Sequence, residues 1–127
     1  MDPKTAKILL IEDERILCEM YQIKFKVAGL NLLIAHGGYE GLSLAKKQKP
    51  NLILLDIRMD DLDGFDVLKR LKDDPSMVEI PVFLLTNVGE KDNAAKGLGM
   101  GAEQYLVKAE LLPQQVVDKV LERLAKE

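Results

Sequence analysis

The 127-residue sequence contains no tryptophan, one cysteine, one histidine and only 5% aromatic residues. Cys18, as the only thiol, has no partner for an internal disulfide, and its place beside Leu17 in a helical pattern reads as a reduced, packed side chain. With a single Cys and a single His36, the chain lacks the nitrogen and sulfur donors of a zinc site, and His36, followed by two glycines, reads as a turn residue. No apolar stretch approaches the roughly 18 residues a membrane span needs, and the opening MDPKTAK has no signal-like apolar core. The expected location is therefore the cytoplasm. A net charge of -3 does not suggest a nucleic-acid binder. The one lysine cluster, Lys46, Lys47 and Lys49, has no interleaved aromatics and reads as a solvated helix end. The length suits one domain with a real core, expected to span 1–127 with no output domain in this chain.

Five short apolar runs alternate with helical patterns. Ala6 to Ile11 ends in Glu12-Asp13, and Ile16, Met20, Ile23 and Val27 then recur at spacings of four, three and four, one face of an amphipathic helix stopped near Gly29. Leu30 to Ala35 precedes a helix from Tyr39 to Gln48 that packs through Leu42 and Ala45. Leu52 to Leu55 is uninterrupted, as in a strand buried on both faces, and it stops at Asp56. Phe65, Leu68 and Leu71 mark a helix that Asp74-Pro75 terminates. Ile80 to Leu85 leads to Thr86-Asn87, and a poor helix from Glu90 to Met100, weakened by Gly97 and Gly99, is the segment expected to move most. Glu103 to Val107 leads to Lys108, and Val116, Val117, Val120, Leu121 and Leu124 predict a closing amphipathic helix. The alternation predicts an α/β fold: a parallel sheet with helices on both faces.

Strand-to-helix turns in such a fold share one edge, so Glu12, Asp13, Asp56, Thr86 and Lys108 converge although they are distant in sequence. A carboxylate at a strand end either serves a ligand or caps the next helix. Three gathered together repel, and they either take up protons or need a cation. All-oxygen ligands with room for water suit magnesium. A carboxylate beside that ion can attack phosphorus, while an ammonium and a hydroxyl bind the phosphoryl oxygens.

These residues, in this order, together with Gly38-Tyr39-Glu40-Gly41-Leu42, Met59, Asp63-Gly64, Gly101-Ala102 and Tyr105-Leu106, resemble the receiver domains of two-component response regulators over essentially the whole chain. The resemblance implies a flavodoxin-like, doubly wound (βα)5 domain whose five parallel strands run in the order 2-1-3-4-5. It implies that Asp56 accepts a phosphoryl group from a partner histidine kinase or phosphotransfer protein. Such a domain catalyses its own phosphorylation and dephosphorylation without being a conventional enzyme. The implied Mg2+ ligands are Asp13, Asp56 and the Arg58 backbone carbonyl, with Glu12 assisting through water. Thr86 and Lys108 bind the phosphoryl group, Thr86 and Tyr105 switch, and the face made by the fourth helix, fifth strand and fifth helix controls a protein partner. A phosphorylation-dependent homodimer is one form of that output.

Three residues depart from the family pattern. Asp60 stands where proline usually follows Met59, and reads as a solvated turn residue. Ala109 replaces the proline of a cis peptide after Lys108; without proline that isomer costs about 3 kcal/mol, so a trans bond is expected. Asn87 replaces a small residue, and either narrows access to the phosphoryl group or hydrogen-bonds it. Arg58 and Val88 occupy positions that influence phosphoryl lifetime in the family. Asp61 and Asp63 read as turn and helix-start residues. Two other readings compete: a receiver-like interaction module working without phosphorylation, and a magnesium-dependent phosphatase, for which Arg58 stands where a second aspartate is commonly needed.

Overall fold

The computed structural model describes residues 2–87 and 91–126. Val88 and Glu90, named above, lie outside them. Five strands, β1 (Lys7–Ile11), β2 (Asn31–Ala35), β3 (Leu52–Asp56), β4 (Val82–Thr86) and β5 (Gln104–Val107), alternate with α1 (Arg15–Val27), α2 (Gly38–Gln48), α3 (Gly64–Asp73), α4 (Lys91–Gly99) and α5 (Pro113–Ala125). The sheet is parallel throughout, in the order β2-β1-β3-β4-β5.

Each inner strand divides its side chains between two cores. Ile8, Leu10, Leu52, Leu54, Phe83 and Leu85 pack under Cys18, Tyr21 and Phe25 of α1 and Val116, Val117, Val120 and Leu124 of α5. Leu9, Ile11, Ile53, Leu55, Val82 and Leu84 face the other way, toward Ala45 of α2 and Phe65, Leu68 and Leu71 of α3. That double burial is why the strands read as continuous apolar runs rather than alternating ones.

The predicted contact face of α1 is corrected. Cys18, Tyr21 and Phe25 are buried, while Ile16, Met20, Ile23 and Val27 are all exposed. The expected closing helix does bury its stripe, with Leu121 half-buried at its margin. Pro113 occupies the first turn of α5, and the Gln115 side chain accepts a bond from the Leu112 N–H at 2.7 Å. In α4, Gly97 lies so close to Leu84 that an added Cβ would overlap it. The residue that weakens the helix also lets it reach the sheet.

Candidate functional site

At the carboxyl edge, β1 and β3 lie side by side with Ile11 opposite Leu55, so the residues that follow are brought together. Candidate ligand oxygens of Glu12, Asp13 and Asp56 all lie within 4.8 Å of one another. Glu12 (1% exposed) and Asp56 (4%) are buried, and Asp13 is half-buried toward solvent. Lys108, in a short 3-10 turn after β5, sends its ammonium between the two buried carboxylates. It bonds Glu12 Oε1 closely and lies 3.2 Å from Asp56 Oδ1. All described peptide bonds are trans, including Lys108–Ala109, and the lysine still reaches the site. Thr86 is buried at the end of β4, next to Asp56, which pairs with Leu85. Tyr105 is half-buried on β5 opposite Leu84 and packs on the α2–α3 side of the sheet. Arg58 is exposed two residues past Asp56, beside a cleft also lined by Asn93 and Lys96. Asn87 is exposed at the rim.

The supports of this cluster are less visible in the sequence. Glu12 Oε2 accepts the Glu14 N–H at 3.2 Å, and its backbone carbonyl accepts the Cys18 thiol at 3.4 Å. Cys18 therefore braces the acidic turn. Burial, then the Glu12 charge, pushes this thiol up to about 11, so it stays protonated and able to donate. The loop after β3 is tied at four points. The Asp60 N–H donates to Asp13 Oδ2 at 3.2 Å, a role beyond that of a solvated turn residue. Asp61 accepts from the Gly38 and Tyr39 N–H groups at 2.9 and 3.2 Å, capping α2 from a different loop. Asp63 caps α3 by accepting the Phe65 N–H at 2.6 Å, as its helix-start reading predicts. The Gly64 N–H donates to the Ile57 carbonyl at 2.7 Å, and an added Cβ at Gly64 would strike the Asp56 carbonyl oxygen. The start of α3 thus lies directly against the backbone of Asp56. No local pattern reveals the Asp61 cap, because its helix begins 23 residues upstream.

The charges do not balance. Burial raises Asp56 to about 7, and the Glu12 carboxylate adds to this against the opposing pull of Lys108. Lys108 is depressed by burial, but its bond to Glu12 and the Asp56 charge leave it raised overall and firmly protonated. One ammonium thus faces three carboxyl groups. A hard divalent cation fits this donor set: all ligands are oxygens, two carboxylates suffice, and half-buried Asp13 leaves an open side for water.

Residues 8–120 match the response regulator receiver domain family, and the chain belongs to that family. It is 34% identical over 113 residues to the phosphate regulon transcriptional regulatory protein PhoB of Pseudomonas aeruginosa, covering 89% of this chain. The match spans about half of PhoB, 49%. The fold matches the chemotaxis response regulator CheY4 of Vibrio cholerae with a TM-score of 0.84 and 27% identity, over 93% of this chain and 97% of the other. It also matches a Mn(2+)-bound form of response regulator Rcp1, with a TM-score of 0.79 and 27% identity, over 87% and 91% of the two chains. Among the described residues, no helix is long and apolar enough to cross a membrane.

Proposed function

We propose that this domain is a phosphorylation-controlled switch in which Asp56 accepts a phosphoryl group from the phosphohistidine of a partner kinase or phosphotransfer protein. The observation that carries this reading is the Lys108 ammonium between Glu12 and Asp56, in a cluster still rich in carboxylates. An Asp56 oxygen attacks phosphorus, the P–N bond breaks, and the departing imidazole keeps its ring and takes up a proton. Lys108 stays paired with the new acyl phosphate, whose negative charge replaces that of the carboxylate. Water later cleaves the P–O bond and releases phosphate. Asp13, Asp56 and the Arg58 carbonyl would hold Mg2+, with Glu12 assisting through water, and the bound ion would supply neutralisation of the phosphoryl charge.

The output reading rests on strand parity. Thr86 is two residues from Leu84, and Tyr105 lies opposite Leu84, so all three fall on the sheet face that carries α4. A phosphoryl group that draws Thr86 toward Asp56 frees space toward which Tyr105 moves, biasing the α4–β5–α5 face toward one of two states for a protein target. The working location is the cytoplasm.

Incubation with Mg2+ and a small phosphodonor such as acetyl phosphate tests the acceptor. A hydroxylamine-labile, acid-stable adduct on Asp56 is expected, and equal labelling of Asp56→Asn rejects the assignment. Beryllofluoride tests the switch. If target affinity does not change when it is added, the domain works as an interaction module independent of phosphorylation.

A further inference from the structure

Among the described residues, nothing packs on the regular apolar stripe along the outward face of α1. Ile16, Met20, Ile23 and Val27 are 71%, 44%, 63% and 80% exposed. On a helix of 3.6 residues per turn they fall within a sector of roughly 60°, diametrically opposite Cys18, Tyr21 and Phe25. Their four-three-four spacing is that of a two-heptad seam, the pattern by which one helix packs along another. Solvated positions on a surface helix normally take polar residues, so four apolar ones in register mark a contact surface.

The charges beside the seam select its occupant. Glu19 and Lys26 lie on the same flank, one heptad apart, and both are exposed. When two such helices pair antiparallel about a two-fold axis, Ile16 meets the partner's Val27 and Met20 meets the partner's Ile23. Glu19 of each copy then faces the partner's Lys26, giving two reciprocal ion pairs with no like charges opposed. On the other flank the exposed Lys24 falls opposite the partner's Leu17, which is half-buried, so that flank adds no ion pair. A seam whose apolar layers and charges are both satisfied by its own reversed copy has the self-complementarity of an isologous interface.

We infer that two copies of this chain pair through α1, antiparallel, independently of the phosphoryl state. The two acidic edges then lie at opposite ends of the paired helices, about 20 Å of helix apart for 13 residues. A single helix seam is smaller than the roughly 1,000 Å² of a stable complex, so the dimer is weak and concentration-dependent.

Sedimentation velocity on the unmodified chain, extended to near-millimolar concentration, tests this. Reversible dimerisation is expected, and Ile23→Lys weakens it about tenfold or more. Glu19→Lys and Lys26→Glu each weaken it, and the two combined in one chain restore it. Unchanged thermal unfolding and unchanged labelling of Asp56 by a small phosphodonor show that each variant keeps its fold. A chain that stays monomeric at every concentration overturns the inference, including the case in which only a different protein occupies the stripe. So does a dimer that survives Ile23→Lys, or a double charge swap that fails to restore association.

Discussion

Between residues 12 and 27 the molecule twice inverts the usual arrangement of a soluble protein. At the sheet edge it buries charge: Glu12, Asp56 and Lys108 are enclosed together. One turn further along the chain it exposes oil, along the outer face of α1. The two regions cost stability for different reasons. Enclosed charges lose hydration that their mutual attraction only partly replaces, whereas exposed apolar side chains merely forgo burial that is worth about 1.5–3 kcal/mol each. The first is a strain on the fold. The second leaves the fold untouched and is felt only by whatever the surface meets.

Substitutions sharpen the contrast, beginning with the buried side of α1 itself. Phe25→Ala, which empties a fully enclosed site, lowers unfolding free energy in urea by about 3–5 kcal/mol. Lys108→Ala removes the cation from between Glu12 and Asp56 and costs about 2 kcal/mol at pH 8. That is less than the roughly 3–5 kcal/mol of a rigid buried pair, because Asp56 can take up a proton instead.

Asp56→Asn has the opposite sign. The folded protein holds the Asp56 proton up to about pH 7, against an ordinary value of 3.8. Between those limits the native state binds more protons than the unfolded chain, so without metal the Asp56 contribution to stability falls as pH rises and levels off above 7. Asp56→Asn therefore raises stability by up to about 4 kcal/mol at pH 8, and the gain fades toward pH 4. A thermal melt series at several pH values, with chelator present, checks it. A gain that persists unchanged at pH 4 breaks the account of Asp56 as a reluctantly charged group.

Magnesium gives the next smaller effect. At ten times its dissociation constant it stabilises the unmodified chain by about 1.4 kcal/mol at pH 8, and Asp13→Asn removes most of that gain. Calorimetric titration of both proteins supplies the comparison. At the bottom of the scale, Ile23→Lys on the outer face of α1 changes stability by no more than about 0.5 kcal/mol. A large loss there would show that the stripe is buried after all.

Comparing α1 with α5 shows what could be read from the sequence. Both helices carry a 3.6-residue apolar period, and in α5 the period marks the buried face because Val116, Val117, Val120 and Leu124 have no apolar rival around the helix. In α1 a second apolar set, Cys18, Tyr21 and Phe25, lies opposite the first, and this set, with its two large aromatic rings, takes the core. Periodicity locates a stripe but does not say which way it faces when a helix has two. The strands were legible because continuous apolar runs mark strands covered on both faces, whereas their order came only with the resemblance to receiver domains. The convergence of Glu12, Asp13, Asp56 and Lys108 followed from that topology alone, with no need for local detail. The Asp60 and Asp61 bonds were not legible, since each joins segments that only the finished fold brings together.

The Asp61 cap also has a mechanical consequence. It makes the first turn of α2 and the loop carrying Arg58 a single body, since moving one without the other strands the Gly38 and Tyr39 amides, a loss of about 1 kcal/mol for a helix cap. With Asp63 tying the same loop to α3, the loop that follows Asp56 is clamped on two sides. Under the proposed phosphorylation of Asp56, displacement would therefore be cheaper on its far side, toward β4. In engineering terms, α2 and α3 are the anvil against which the loop after Asp56 is held.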